Sequence, residues 1–206
     1  DAATQVEVAA LLDTLVRMDA PVAEASAAVL EAASPVRSAS PIVALIERPA
    51  ERLPYAQGTP LAVLACDIQD PGNMGAIVRV SEAAGATGVV AAGTCADPFG
   101  WKALRGSMGS ALRLPISRVS SIQSAVDDAL RHGTRLVATV PRDGTPLFQT
   151  DLTGPLALLI GGEGPGLPHD AIDAAAVRVT IPMEAPAGSL NAAVAPALLL
   201  YVEIGR

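Results

Sequence analysis

The stretch Gly161-Gly162-Glu163-Gly164-Pro165-Gly166 ends an apolar run with four glycines and one carboxylate. One tight turn does not need that many glycines; backbone that must approach a ligand closely does. Two other stretches share this character. Residues 67–79, DIQDPGNMGAIVR, leave an apolar run through Pro71-Gly72 and enter a helical pattern at Asn73, a good N-cap, with Gly75 expected to keep the first turn open and Arg79 two turns in. Residues 181–194, IPMEAPAGSLNAAV, leave a run through two prolines and enter a helical pattern at Ser189. Asn, Arg, Glu and Ser side chains thus meet glycine-rich backbone at three places, as a ligand pocket requires. Each also has a local alternative: Asn73 and Ser189 as helix caps, Glu163 as a loop acceptor, Arg79 as a surface helix charge.

The common phosphate-binding loops do not fit. Gly162 and Gly164 occupy the first two places of a G-x-G-x-x-G fingerprint, but Leu167 stands at the third, and no ribose-binding acid follows at the expected distance. A P-loop fails for want of Gly-Lys-Ser/Thr.

The surrounding pattern specifies where these loops sit. Near-continuous apolar strands are predicted at 61–67, 87–93, 114–119, 134–140, 156–160 and 177–182. They alternate with helices at 73–85, 121–133, 169–175 and 189–205. That alternation indicates an α/β fold with a parallel sheet covered by helices on both faces. Ligands of such sheets bind at the carboxyl ends of the strands, where all three loops fall. Upstream, helices are expected at 4–18 and 21–33 and a strand at 41–48. A proline-punctuated stretch follows, giving a small N-terminal unit over 1–52, a linker over 53–60 and a main domain over 61–206.

Taken together, the three stretches resemble the signature motifs of the SpoU/TrmH family of RNA ribose 2′-O-methyltransferases, in the SPOUT superfamily. Asn73-x-Gly75-x-x-x-Arg79 is similar to the first, Gly161-Gly162-Glu163-Gly164-x-Gly166-Leu167 to the second, and Ile181-Pro182-Met183 with Ser189-Leu190-Asn191 to the third. Order and spacing agree over roughly residues 60–206. The resemblance implies a C-terminal deep trefoil knot, a rare exception to the rule that chains avoid threading. It implies a bent S-adenosylmethionine held largely by backbone, with Thr139, Gly161, Ile181, Met183 and Leu190 at the cofactor. It places Arg79 at the target 2′-hydroxyl, as an unusual base or as an electrostatic stabiliser of the forming alkoxide, with Asn73, Glu163, Ser189 and Asn191 orienting it and the ribose. It also implies an rRNA or tRNA substrate and a homodimer, for which the closing helix with Leu198, Leu199, Leu200 and Tyr201 is a candidate interface. Residues 1–48 resemble the later half of a ribosomal-protein-like RNA-binding domain. A catalytically silent SPOUT-fold RNA-binding protein and a SPOUT base methyltransferase are the alternatives; the presence of Asn73, Arg79, Glu163, Ser189 and Asn191, with an arginine in the first motif, favours ribose methyl transfer. One departure is Pro196, which falls inside the closing helix if that helix begins at Ser189. Either the helix kinks, or its regular part starts after Asn191 and Pro196 lies in its first turn.

Composition bounds the rest. The net charge of −7 argues by itself against a nucleic-acid partner. Its distribution softens that: residues 98–126 contain no acid but carry Lys102, Arg105, Arg113 and Arg118. Such a strip is a solvated face or a phosphate-binding one. By resemblance Lys102, Arg105 and Arg113 are the RNA contacts. Residues 1–59, with eight acids and four bases, are poorly suited to RNA. Two cysteines and two histidines without ligand spacing give no metal site and fit reduced thiols in a cytoplasmic protein. No apolar run approaches the ~20 residues of a membrane span. The start, DAATQVEVAA, has no secretory pattern and lacks Met, and is expected to be a truncated or partly ordered N-terminus.

Overall fold

The computed structural model describes residues 2–34, 41–56, 58–184 and 190–204. The chain divides into two compact units, residues 1–48 and 49–206.

In the first unit, α1 (Ala2–Arg17) and α2 (Ala27–Ala33) form, the latter capped by Ser26, whose Oγ accepts from the Val29 N–H. The strand expected at 41–48 is not formed. Apolar alternation stabilises a strand only beside a ladder partner, and the described residues of this unit supply none. Val43, Leu45 and Ile46 are accordingly exposed.

The second unit is built from β1 (Leu61–Cys66), α3 (Pro71–Ala83), β2 (Gly88–Ala92), α4 (Trp101–Ser107), β3 (Ile116–Val119), α5 (Ile122–Arg131), β4 (Arg135–Thr139), β5 (Thr145–Pro146), β6 (Leu156–Gly161), α6 (His169–Asp173), β7 (Val177–Thr180) and α7 (Val194–Ile204). The strands make one sheet in the order β3-β2-β1-β6-β4-β7-β5, and every pairing is parallel. The period of two along β1 sends Leu61, Val63 and Ala65 into one core, and Ala62, Leu64 and Cys66 into another. The first core holds Met74, Ile77 and Val78 of α3 and Leu199 and Leu200 of α7; the second holds Ala125, Val126 and Ala129 of α5 and Ala171 of α6. Each fully buried leucine contributes about 2 kcal/mol of transfer free energy, which is how a core poor in aromatics holds.

Strand order decides where the loops meet. β1, β6, β4 and β7 are neighbours though far apart in sequence, so the segments leaving their carboxyl ends converge on one edge. The long passage from β3 back to β4 makes β1 and β6 adjacent, and the crevice opens there.

Two local expectations are revised, and of the two readings of Pro196 the second holds. Asn73 is the third residue of α3, not its cap. Asp70 is the cap, its Oδ1 accepting from the Asn73 N–H at 2.8 Å, with Pro71 at the first helical position. This frees the Asn73 side chain. Gly75 lies in the helix interior, where it admits α4: a Cβ there would collide with the Ala103 carbonyl oxygen and lie 3.0 Å from the Gly106 Cα. α7 begins at Val194, so Pro196 is its third residue, where no intrahelical N–H bond is lost.

A surface pair beside α3 gives a test of electrostatics. Arg113 grips Glu82 with two bonds, Nε to Oε1 at 2.6 Å and Nη2 to Oε2 at 2.7 Å. The guanidinium holds the Glu82 carboxyl below the usual carboxylate range. A depressed folded-state pKa contributes stability that is present above the ordinary glutamate range and lost as pH falls through the folded value. Arg113→Ala should therefore lower the urea midpoint at pH 7, and the difference from wild type should close in acid. A difference that persists at pH 3 would assign the effect to packing of the arginine stem.

Candidate active site

At the carboxyl edge, three segments lock together through side-chain amides. The Asn73 Nδ2 donates to Glu163 Oε1 at 2.8 Å, and the Asn191 Nδ2 donates to Asn73 Oδ1 at 3.0 Å. Asn191 Oδ1 accepts from the Ala193 N–H at 2.9 Å, which sets the entry to α7. Asn73 thus joins the loop after β6 to the segment before α7. The bond between the two amides contributes only about 0.5–1.5 kcal/mol and the one to the Glu163 carboxylate about 1.5–3 kcal/mol; together they fix the geometry of the corner.

A cavity of about 630 Å³ lies beneath the loop after β6. Its wall includes Thr139 from the end of β4, Gly161 and Glu163 from the β6 loop, and Ile181, Met183 and Leu190 from the segment after β7. Val140, Pro141, Ile172 and Ala195, which no motif indicated, complete it. The Thr139 hydroxyl donates across to the Leu159 carbonyl at 2.9 Å, holding the two strand ends together. Glycine is required by contact at two points in the loop. A Cβ on Gly161 would lie 2.6 Å from both the Gly166 carbonyl carbon and the Leu167 nitrogen, and one on Gly162 would collide with the Asp67 carbonyl oxygen. Gly162 and Gly166 pair as an antiparallel bridge that closes the loop.

The volume suits a small-molecule cofactor. The wall contains no lysine or arginine, and Glu163 is its one charged residue among the described residues. The wall offers a pyrophosphate no cationic side chain, and Glu163 favours a neutral or positively charged ligand.

A second cavity, of about 360 Å³, is lined by Asp67, Ile68, Gln69, Asp70 and Asn73 and shares Glu163 and Ala192 with the first. Asp67 has φ 54°, a left-handed conformation that short polar residues tolerate, and its Oδ1 accepts from the Thr94 N–H at 2.7 Å. The Asp70 carboxyl is held below its usual range by the Asn73 N–H first and then by Lys102, whose Nζ lies 3.1 Å from Oδ2. The Asp-Pro step before the first motif was the available sign of this corner, because it marks cap and first helical turn together.

The structure brings Asn73, Glu163 and Asn191 into contact. Arg79 stands apart: it is exposed on α3, lines neither cavity and has no partner among the described residues. Ser189 lies outside the described residues. Lys102 and Arg105 are exposed on α4, the former on Asp70, while Arg113 is engaged by Glu82. Cys66 is buried and Cys95 partly so. Burial pushes both thiols up, away from reactive thiolate. Among the described residues no group of three or more His, Cys, Asp or Glu could hold a metal, and no helix is long and apolar enough to cross a membrane.

Residues 60–201 match the SpoU rRNA Methylase family. The 23S rRNA (guanosine(2553)-2′-O)-methyltransferase RlmP of Bacillus subtilis is 34% identical over 179 residues, covering 86% of this chain and 68% of its own length. The SpoU methyltransferase AviRb from Streptomyces viridochromogenes, solved in complex with the cofactor AdoMet, superposes with a TM-score of 0.68 at 38% identity, over 75% of this chain and 64% of AviRb. A TrmH-family protein from Porphyromonas gingivalis superposes with a TM-score of 0.80 at 28% identity, over 91% and 76% of the two chains. The chain spans 49%, 68% and 58% of the lengths of three curated relatives that it matches.

Proposed function

Because this chain belongs to the SpoU rRNA methylase family, we propose that it is an S-adenosylmethionine-dependent RNA methyltransferase acting on a ribose 2′-hydroxyl, of rRNA in the first instance and tRNA in the second. The observation that carries this reading is the cation-free cavity under a loop that excludes Cβ atoms, adjoining a corner where Asn73 links Glu163 to Asn191. The cofactor supplies a methyl group on a positively charged sulfur. Backbone of the β6 loop, with Thr139, Ile181, Met183 and Leu190, would hold it, and Glu163 would offer the cavity's negative charge to its cationic sulfur. The acceptor ribose enters from the second cavity. For the 2′-oxygen to accept that methyl group, its hydroxyl proton would have to leave. Arg79 assists by stabilising negative charge on that oxygen or by taking the proton. Asn73, Asn191 and Ser189 hold the three segments in register. Lys102 and Arg105 receive RNA phosphates; Arg113 joins them only by releasing Glu82.

We extend the reading to architecture. The segment from Ile181 through α7 threads the β6 loop as a deep trefoil knot, and two copies of the chain form a homodimer through α7. Tyr201 there is 53% exposed and Leu198 is partly exposed, beside a buried Leu199 and Leu200, which supports a face awaiting a partner. Residues 1–52 belong to a substrate-binding unit, 53–60 to a linker and 61–206 to the methyltransferase, working in the cytoplasm.

Calorimetry with S-adenosylmethionine, NAD and ATP separates the cofactor classes, and binding is expected for the first alone. Nucleoside analysis of unmethylated 23S rRNA transcript after incubation with protein and cofactor should show a 2′-O-methyl nucleoside. NAD binding without a response to S-adenosylmethionine, or methyl on a base, would overturn the reading. Light scattering should give twice the chain mass.

A further inference from the structure

The acid-free stretch 98–126 contains four cations, and three are committed. Lys102 pairs with Asp70 at 3.1 Å, Arg113 with Glu82 at 2.6 Å and Arg118 with Asp97 at 3.6 Å. Arg105 has no partner among the described residues and is exposed. One helical turn before it stands Trp101, the one tryptophan in the sequence and 46% exposed. Residues four apart share a helix face, so Trp101 and Arg105 lie on the same exposed side of α4. The inner side of α4 is fixed: Ala103 and Ser107 are buried, and Gly106 touches α3 at Gly75.

Large aromatic side chains are normally drawn into the core or a partner surface. Tyr55 is the one aromatic side chain buried in the described cores, and the one indole remains outside beside an arginine without a partner among the described residues. We infer that Trp101 is a stacking platform for an unpaired nucleobase flanking the acceptor nucleotide, with Arg105 on that nucleotide's phosphate. The inference rests on the proposed RNA activity and extends it to a residue no motif includes. Position supports it. The neighbouring Lys102 pairs with Asp70, which lines the second cavity, so α4 is tied to that cavity's wall at the residue next to Trp101. Charge supports single-stranded RNA over an apolar protein segment: the surface joins a π-face to uncompensated positive charge, the combination that binds unstacked bases and their phosphates.

A single tryptophan makes the test direct. Adding oligouridine or oligoadenosine to the wild-type protein should quench its tryptophan fluorescence, with a midpoint that rises steeply with salt. Trp101→Ala should raise KM for unmethylated 23S rRNA transcript about tenfold or more, with kcat and S-adenosylmethionine affinity unchanged. Trp101→Phe should retain most of the affinity because it retains a ring. Trp101→Leu should behave as the alanine variant, which separates stacking from hydrophobic area. If the wild type methylates RNA while Trp101→Ala keeps its KM and no quenching occurs, the platform is wrong and the activity stands. If the wild type transfers no methyl group but oligonucleotides still quench, the platform stands and the activity reading falls.

Discussion

Arg79→Ala is expected to lose at least ~10²-fold in the rate of methyl transfer while binding S-adenosylmethionine as the wild type does. The cavity under the β6 loop receives no side chain from α3 beyond the amide contact of Asn73 with Glu163, and Arg79 lines neither cavity. Its removal therefore leaves the cofactor wall intact. A ribose hydroxyl is a weak nucleophile at neutral pH, so charge forming on its oxygen needs a fixed positive group. Losing one preorganised donor to such an oxyanion costs about 3 kcal/mol or more. Because Arg79 has no protein partner among the described residues, its guanidinium is free for RNA. Arg79→Lys should rescue little, because a point charge cannot bond phosphate and 2′-oxygen together as a planar fork does. Single-turnover transfer of labelled methyl measures the rate, and calorimetry measures affinity alongside. Near-normal turnover would put proton removal on another group. Equal losses in rate and affinity would make Arg79 a support for the cofactor loop.

Gly161→Ala is expected to weaken cofactor binding by roughly 2 kcal/mol, or about 30-fold, with the sheet still folded. The added methyl would stand 2.6 Å from two backbone atoms of Gly166 and Leu167. Backbone cannot rotate aside as a side chain can, and Leu167 is anchored in the second core. The loop must open, which breaks the Gly162–Gly166 bridge and moves the cavity wall. Gly154→Ala is the control. That glycine has φ +87° with nothing within 4 Å, so alanine there adds backbone strain of ~1–2 kcal/mol to global stability and nothing to cofactor affinity. If the two variants bind cofactor equally well, the close loop is not part of the site.

What the sequence made legible follows the length over which each signal is averaged. β1, β2, β4 and β6 are continuous aliphatic runs and fall within a residue or two of their expected bounds. β5 has two residues and α4 has a glycine in its last turn, too little for a period to register. The amide contacts of Asn73 join residues 90 and 118 positions apart and depend on strand order, so local pattern could not show them and only the family resemblance placed Asn73, Glu163 and Asn191 at one site. The cap at α3 was misassigned between two suitable residues, and the Asp-Pro step decides for Asp70. The strand expected at 41–48 had the right alternation and no partner, and partners are tertiary.

The Asn73 contacts also bear on how the chain is made. During synthesis, Asn73 and its helix precede Glu163 by 90 residues and Asn191 by 118. Contacts so distant in sequence form late and slowly, after local helices and neighbouring strands. The corner that would hold cofactor and ribose together is thus missing from any folding intermediate in which the segment around Asn191 has not docked. A nascent chain surrounded by RNA would be inert until its last structural step. In refolding, helical circular dichroism should return before cofactor binding does.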